Sequence, residues 1–276
     1  MEDPATEQQI ADAHRSVVEP LWTEPLFEKV SEAVALAESG TQLVAEARCG
    51  YLPMQFRGEL DEAVRLIALD PKRAMLDEAR ERAGEDSDQQ IFYIPERVDS
   101  ISYADDVFDS TVCFNGLITV RQADEGIEEL ARVTVPGGCV SVAVPLAASF
   151  QLFYDMLDEA FRAHEMTEKL ARLDNLRDSF VRPPRMVALA EEAGLQVEEI
   201  RQLEWSVSFD TGREFLYSPL VRETFFPHWI GLISAPDRDR VMRYIGEAID
   251  TYFDERPIET NVAAGFMVAR KPDPAG

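Results

Sequence analysis

Histidine, cysteine and positive charge are all scarce in this chain. It holds three histidines and three cysteines in 276 residues. Its 27 lysines and arginines face 52 aspartates and glutamates, a formal charge of −25. The shortage of cations speaks against a nucleic-acid partner, because phosphate contacts need clustered Lys and Arg. It speaks equally against docking on an anionic membrane surface. A basic protein partner, or repulsion between copies, suits such a chain better. Cys49, Cys113 and Cys139 are too far apart for a zinc or redox pair. Each lies in or beside an apolar run and reads as a small buried hydrophobe of a reducing compartment. His14, His164 and His228 are scattered too. His164-Glu165 is followed by Met166, Thr167 and Glu168, so the HExxH zinc pattern fails at its second histidine, and no metal is expected. The opening MEDPATEQQ lacks the basic and apolar regions of a leader. One uncharged stretch, 133–154, has the length of a membrane span. Pro136-Gly137-Gly138 and Pro145 interrupt it, so it reads as a turn, a buried strand and the start of a helix. The expectation is a cytoplasmic protein.

What is present is an alternation of strands and helices, with 46% hydrophobic residues to build a core. Ile10, Ala13, Val17 and Val18 keep a helical spacing that should end at Pro20. A second helix is predicted over 25–38. Apolar strands over 42–47, 65–69, 90–94, 107–114 and 139–144 alternate with helices over 54–63, 71–83 and 124–134. The acidic stretch 84–88 reads as a solvated loop. Beyond Pro145 the pattern is more helical, over 150–173, 183–193, 213–226 and 237–253, with strands over 195–209 and 260–269. Such an alternation predicts a parallel sheet covered on both faces. Its ligands are expected beyond the carboxyl ends of the strands.

Four ordered stretches carry a resemblance. Glu129 to Gly138, ELARVTVPGG, is similar to an ELxRVLxPGG run. Leu69-Asp70-Pro71 with Met75-Leu76 matches an acid closing a second strand. Ile101 to Asp109, ISYADDVFD, resembles LPFxDxxFD, and Pro184 to Gly194 followed by Leu195-Gln196-Val197 resembles a late helix, turn and strand. Together they resemble the class I S-adenosylmethionine-dependent methyltransferases, of the group with the type 11 methyltransferase domain. The resemblance covers residues 42–207, with a final strand over 262–268. It implies an α/β fold: a seven-stranded, mostly parallel sheet of order 3-2-1-4-5-7-6 with strand 7 antiparallel. It also implies S-adenosylmethionine as cofactor and a methyl group passed to a small molecule or a protein. One domain over 1–276 follows, with N-terminal helices over 1–40, a cofactor-binding half over 41–145 and helical additions over 146–182 and 210–253.

Carried over position by position, the cofactor contacts fall on Glu46, Gly50, Asp70, Val98 and Asn115. An acid ending strand two accepts both ribose hydroxyls through its two oxygens. Asp70 equally suits the cap of a helix opening at Pro71. The departures are informative. The family's acidic-x-Gly-x-Gly-x-Gly loop reads here Glu46-Ala47-Arg48-Cys49-Gly50-Tyr51-Leu52. Arg48 and Leu52 stand where the family has glycine, and Arg97 where it has an acid facing adenine. Two readings stay open. In one, the arginines pair with the acids and block the pocket, leaving a pseudo-methyltransferase that serves as an interaction module. In the other, they meet an anionic group such as the cofactor's carboxylate through bidentate bonds. A nucleotide-dependent oxidoreductase is disfavoured, because the GxGxxG loop is missing. No residue declares itself as a catalytic base. His164 and His228 lie in the helical additions, and Tyr51 and Tyr103 in loops near the strand tops. Phe225-Phe226-Pro227-His228-Trp229-Ile230 reads either as packing or as an exposed partner surface.

Overall fold

The computed structural model describes residues 6–87, 90–253 and 256–273. Its strands are β1 (Thr41–Ala45), β2 (Arg65–Leu69), β3 (Ile91–Ile94), β4 (Phe108–Cys113), β5 (Thr134–Pro145), β6 (Gln196–Phe209) and β7 (Ile258–Arg270). They form one sheet in the order β3-β2-β1-β4-β5-β7-β6. The first five pair in parallel, and β7 runs antiparallel to both β5 and β6. This is the order and direction that the resemblance implies.

Helices cover both faces, so the central strands are buried on both sides, as parallel strands require. Leu43 and Ala45 of β1 pack with α5 (Val120–Val133) and α8 (Pro183–Glu192). Val44 packs into the other core layer, shared with α3 (Tyr51–Glu59), α4 (Arg73–Ser87), α6 (Gln151–Ala163) and α12 (Ala235–Phe253). Gln42 is fully buried, yet its amide is satisfied. It donates to the carbonyls of Leu43 and Ser110 and accepts from the Ala37 N–H at 2.9 Å. That last bond holds the chain before β1 in extended form. The helix expected over 25–38 therefore stops early, as α2 (Glu24–Val30) and a single 3-10 turn (Ser31–Ala33).

Pro20 does not end the first helix. α1 (Glu7–Ala13) runs on into a π-helical segment, His14–Thr23, and through it into α2. The wider π turn loosens the backbone ladder that a proline ring would otherwise break. Its larger repeat also stacks His14, Val18 and Trp22 on one side.

The helix expected over 150–173 is two. Glu165 takes a left-handed φ of +57°. The Met166 N–H reaches the Phe161 carbonyl, and the Glu165 N–H that of Arg162. That pair of bonds is a Schellman stop, and α7 (Glu168–Ser179) follows. Likewise the helix expected over 213–226 is split by prolines into α9 (Gly212–Tyr217), α10 (Pro219–Glu223) and α11 (Phe226–Gly231). Gly84, at φ +68°, breaks the helical backbone where the acidic loop was expected. Asp88 lies outside the described residues.

Of the two readings of the 225–230 run, packing holds for Phe225 and Trp229, which are buried. Trp229 stacks on Phe153 with ring centroids 4.1 Å apart, and Phe150, Tyr154 and Phe225 surround it. Among the described residues no helix is long and apolar enough to cross a membrane.

Two of the family-like stretches meet in one structural knot. Arg132 donates to Glu129, to Asp105 and to the carbonyls of Tyr103 and Ile101. Glu129 in turn accepts from the Ile101 N–H at 2.8 Å. The motif thus pins the 101–105 loop to α5. Pro136-Gly137-Gly138 forms a bulge within β5 rather than a turn ahead of it, with a register break opposite Phe108 and Ser110. A Cβ on Gly138 would lie 2.8 Å from the Asp109 carbonyl oxygen, so this position has room only for glycine.

Candidate functional site

The loop after β1 folds through three left-handed residues: Glu46 (φ +52°), Arg48 (φ +51°) and Gly50 (φ +81°). Only the third is glycine. A left-handed conformation costs a side-chain-bearing residue roughly 1–3 kcal/mol, and such strain persists where the surroundings over-determine it. Here Asp70 helps to hold it. One Asp70 oxygen accepts the Arg48 N–H at 3.1 Å and the other the Lys72 N–H at 2.9 Å. The helix opens at Arg73 rather than Pro71, so Asp70 is not its cap; it braces the turn ahead of α4 instead, and its side chain has 0% exposure.

The Arg48 guanidinium lies between two acids, 3.2 Å from Glu46 Oε2 and 3.8 Å from Asp70 Oδ2. Burial pushes the Glu46 carboxyl above its usual range, and Arg48 pulls only partly against it. Burial works against the charge on Arg48, but Glu46 and Asp70 outweigh it and keep the guanidinium cationic.

The other two suspected intruders stay out. Leu52 is on α3 and buried in the core with Phe56. Arg97 is exposed and pairs with Asp99. Of the two arginines expected at the pocket, Arg48 and Arg97, only Arg48 is there. Val98 is buried in the layer that contains Leu43 and Ile101. Asn115 follows β4, and its amide donates to the Glu46 carbonyl at 3.4 Å. Gly50 packs against α4, where a Cβ would lie 2.7 Å from the Ala79 Cβ. Gly50→Ala therefore meets both a clash and an unfavourable φ. We expect it to cost about 2 kcal/mol or more, read as a lower urea midpoint at unchanged slope.

A cavity of about 580 Å³ opens beyond the carboxyl ends of β1, β2, β4 and β5. Arg48, Lys72, Asn115, Gly116 and Pro145 form its floor. Its roof is α1 and the π segment, with α10 at the side. Of the five carried-over cofactor positions, only Asn115 lines it; Glu46, Gly50, Asp70 and Val98 do not.

The roof is tied down. Arg82 of α4 makes a two-pronged pair with Glu19 at 2.5 and 2.7 Å and also reaches the Cys49 carbonyl. Trp205 of β6 donates its indole N–H to the Leu21 carbonyl at 2.9 Å. Cys49 is free and buried, its thiol donating to the Ala11 carbonyl. Burial raises that thiol to about 12, which suits a packing role rather than a nucleophile. Cys113 and Cys139 are also free and buried.

The sequence reading passed over His14. In the cavity wall its Nδ1 lies 3.1 Å from Glu223 Oε2, a contact between residues 209 positions apart. Nothing local in either segment signals it. Neither His164 nor His228, the histidines singled out above, lines this cavity. His228 is half-buried against Phe180, and burial lowers its pKa. Tyr51 packs edge-on to Phe27, and Tyr103 to Phe108. Among the described residues there is no cluster of His, Cys, Asp and Glu suited to a metal ion.

Residues 49–138 match the family described as methyltransferase domain. No curated protein matches the chain. Among solved structures, the BH2331 protein of Bacillus halodurans C-125 is 17% identical, with a TM-score of 0.58 over 89% of this chain and 98% of that one. The YcgJ protein of Bacillus subtilis is 15% identical, with a TM-score of 0.54 over 91% and 99%. Phosphoethanolamine N-methyltransferase 2 of Haemonchus contortus, solved with S-adenosyl-L-methionine, is 16% identical, with a TM-score of 0.55 over 97% of this chain and 58% of its own.

Proposed function

From the premise that this chain carries a methyltransferase domain on the class I methyltransferase fold, we propose that it moves a methyl group from S-adenosylmethionine to a small molecule held in the roofed cavity. The observation that carries this reading is the cavity itself. It has the size of a small-ligand site, and it lies where open α/β sheets bind ligands. It also adjoins the loop that keeps left-handed turns at two residues other than glycine.

The residues present fit the donor's chemistry. The Arg48 guanidinium makes no hydrogen bond to another side chain among the described residues; its two ion pairs are contacts of charge alone. Its donors are available to a carboxylate, the group that the donor's methionine end carries. Turned toward that carboxylate, Arg48 uncovers Asp70 for the ribose and Glu46 for the ammonium. Asn115 completes the floor. When bound, S-adenosylmethionine supplies a methyl group activated by a sulfonium, and what remains for the protein is alignment and the acceptor's proton. We assign that proton to His14, which lines the cavity. Glu223 holds its Nδ1 and leaves Nε2 as the free nitrogen. The cavity has the volume for a small acceptor, and Phe225 and Trp229 are buried rather than offered to a protein substrate.

One observation favours the second reading, a pseudo-methyltransferase. Asp70 is fully covered, and its oxygens already serve two backbone N–H groups. Titration calorimetry with S-adenosylhomocysteine separates the two. The active reading predicts saturable binding by the wild type and about tenfold weaker binding by Arg48→Gly, which loses a charge-assisted contact. The pseudo reading predicts the reverse, with no heat from the wild type and a gain in Arg48→Gly.

A further inference from the structure

The cavity joins an apolar wall to unpaired positive charge. Ile10, Val18 and Trp22 supply the apolar surface, and Lys72 and Arg222 line the same space. Neither cation ion-pairs with a carboxylate among the described residues, and neither is otherwise engaged through its side chain. Arg48 is different, because Glu46 and Asp70 already face it. The one carboxylate in the lining, Glu223, sits against His14. Within a chain of net charge −25, this space is lined by three cations and one acid among the described residues. The Lys72 backbone is fixed by Asp70, so its side chain leaves the start of α4 from a set position.

We propose that the cavity's ligand is a small amphiphilic anion, an apolar body bearing a carboxylate or phosphate. Lys72 and Arg222 take the acid group, and Trp22 with its apolar neighbours takes the body. This rests on the functional reading above in naming the class of methyl acceptor, but the anion site itself is tested without any donor.

The probes are benzoate, phenyl phosphate and the neutral benzamide, titrated into the whole chain while tryptophan fluorescence is followed. Trp22 is the reporter, and a Trp22→Phe variant must lose the signal. The inference predicts saturable quenching at millimolar benzoate or phenyl phosphate, about tenfold tighter than benzamide. Which of the two anions binds better tells carboxylate from phosphate. The preference should shrink as salt is raised. It should vanish in Lys72→Gln with Arg222→Gln while benzamide binding stays. Equal affinity for the three probes, no binding, or a preference that survives the double substitution would overturn it. A chain that prefers the anions but ignores S-adenosylhomocysteine keeps this site and removes the methyl-transfer reading. Binding of S-adenosylhomocysteine without anion preference removes this inference alone.

Discussion

Arg82→Ala is expected to destabilise the protein by about 3–5 kcal/mol, the usual result of leaving a buried charge without its partner. For a chain of this size that is a fall of roughly 10 °C in melting temperature. The reason is an asymmetry in the pair. The Glu19 side chain is 3% exposed and that of Arg82 24%. Removing Arg82 strands a carboxylate away from water, whereas Glu19→Ala strands a guanidinium that water still reaches. Glu19→Ala should therefore cost less. Replacing both with leucine should recover much of the loss, because an apolar pair avoids the desolvation cost that the ion pair carries. Thermal melts of the two single variants and the double variant check all three statements. Equal losses in the two alanine variants would contradict the account of the pair. The consequence reaches the site, since Glu19 lies in the same π segment as His14 and Trp22.

His14→Gln is expected to lower methyl transfer by about 10²–10⁴, the range that a positioned base contributes. Glu223→Gln should lower it less, because Glu223 acts through His14 by holding its Nδ1. Single-turnover transfer from a methyl-labelled donor onto a panel of hydroxy- and amino-aromatic acids measures both. Affinity for S-adenosylhomocysteine should not change in His14→Gln, whereas Glu223→Gln removes a negative charge that acts on Arg48 and so serves only as the test of positioning. Equal transfer by wild type and His14→Gln would remove His14 from the chemistry.

Much of the fold was legible because its signals are local. β2 spans the predicted 65–69, and the Pro183 helix starts at its proline. Strand β1 and its buried neighbours showed as short apolar runs between turn residues. Where the reading failed, a distant contact decided. Helix 25–38 yields to the Gln42 side chain, which captures the Ala37 N–H. Pro20 is absorbed by a π segment, and nothing in its sequence announces the wider turn. The site shows the same division. Arg48 at a glycine position was visible as an anomaly, and its pairing with Glu46 was one of the two readings weighed. Leu52 and Arg97 looked equivalent to it in alignment. Helix α3 points Leu52 into the core, however, and Asp99 holds Arg97 at the surface. The His14–Glu223 pair joins residues 209 positions apart, so only the folded topology reveals it.

A co-crystal structure with S-adenosylhomocysteine bears most directly on the account. The predicted result places the ligand across the carboxyl ends of β1, β2 and β4. The Arg48 guanidinium would have left Asp70 for the ligand's carboxylate, and a ribose hydroxyl would lie on the uncovered Asp70. Crystals grown or soaked at saturating ligand that keep Arg48 between Glu46 and Asp70, with nothing bound beside them, would contradict it.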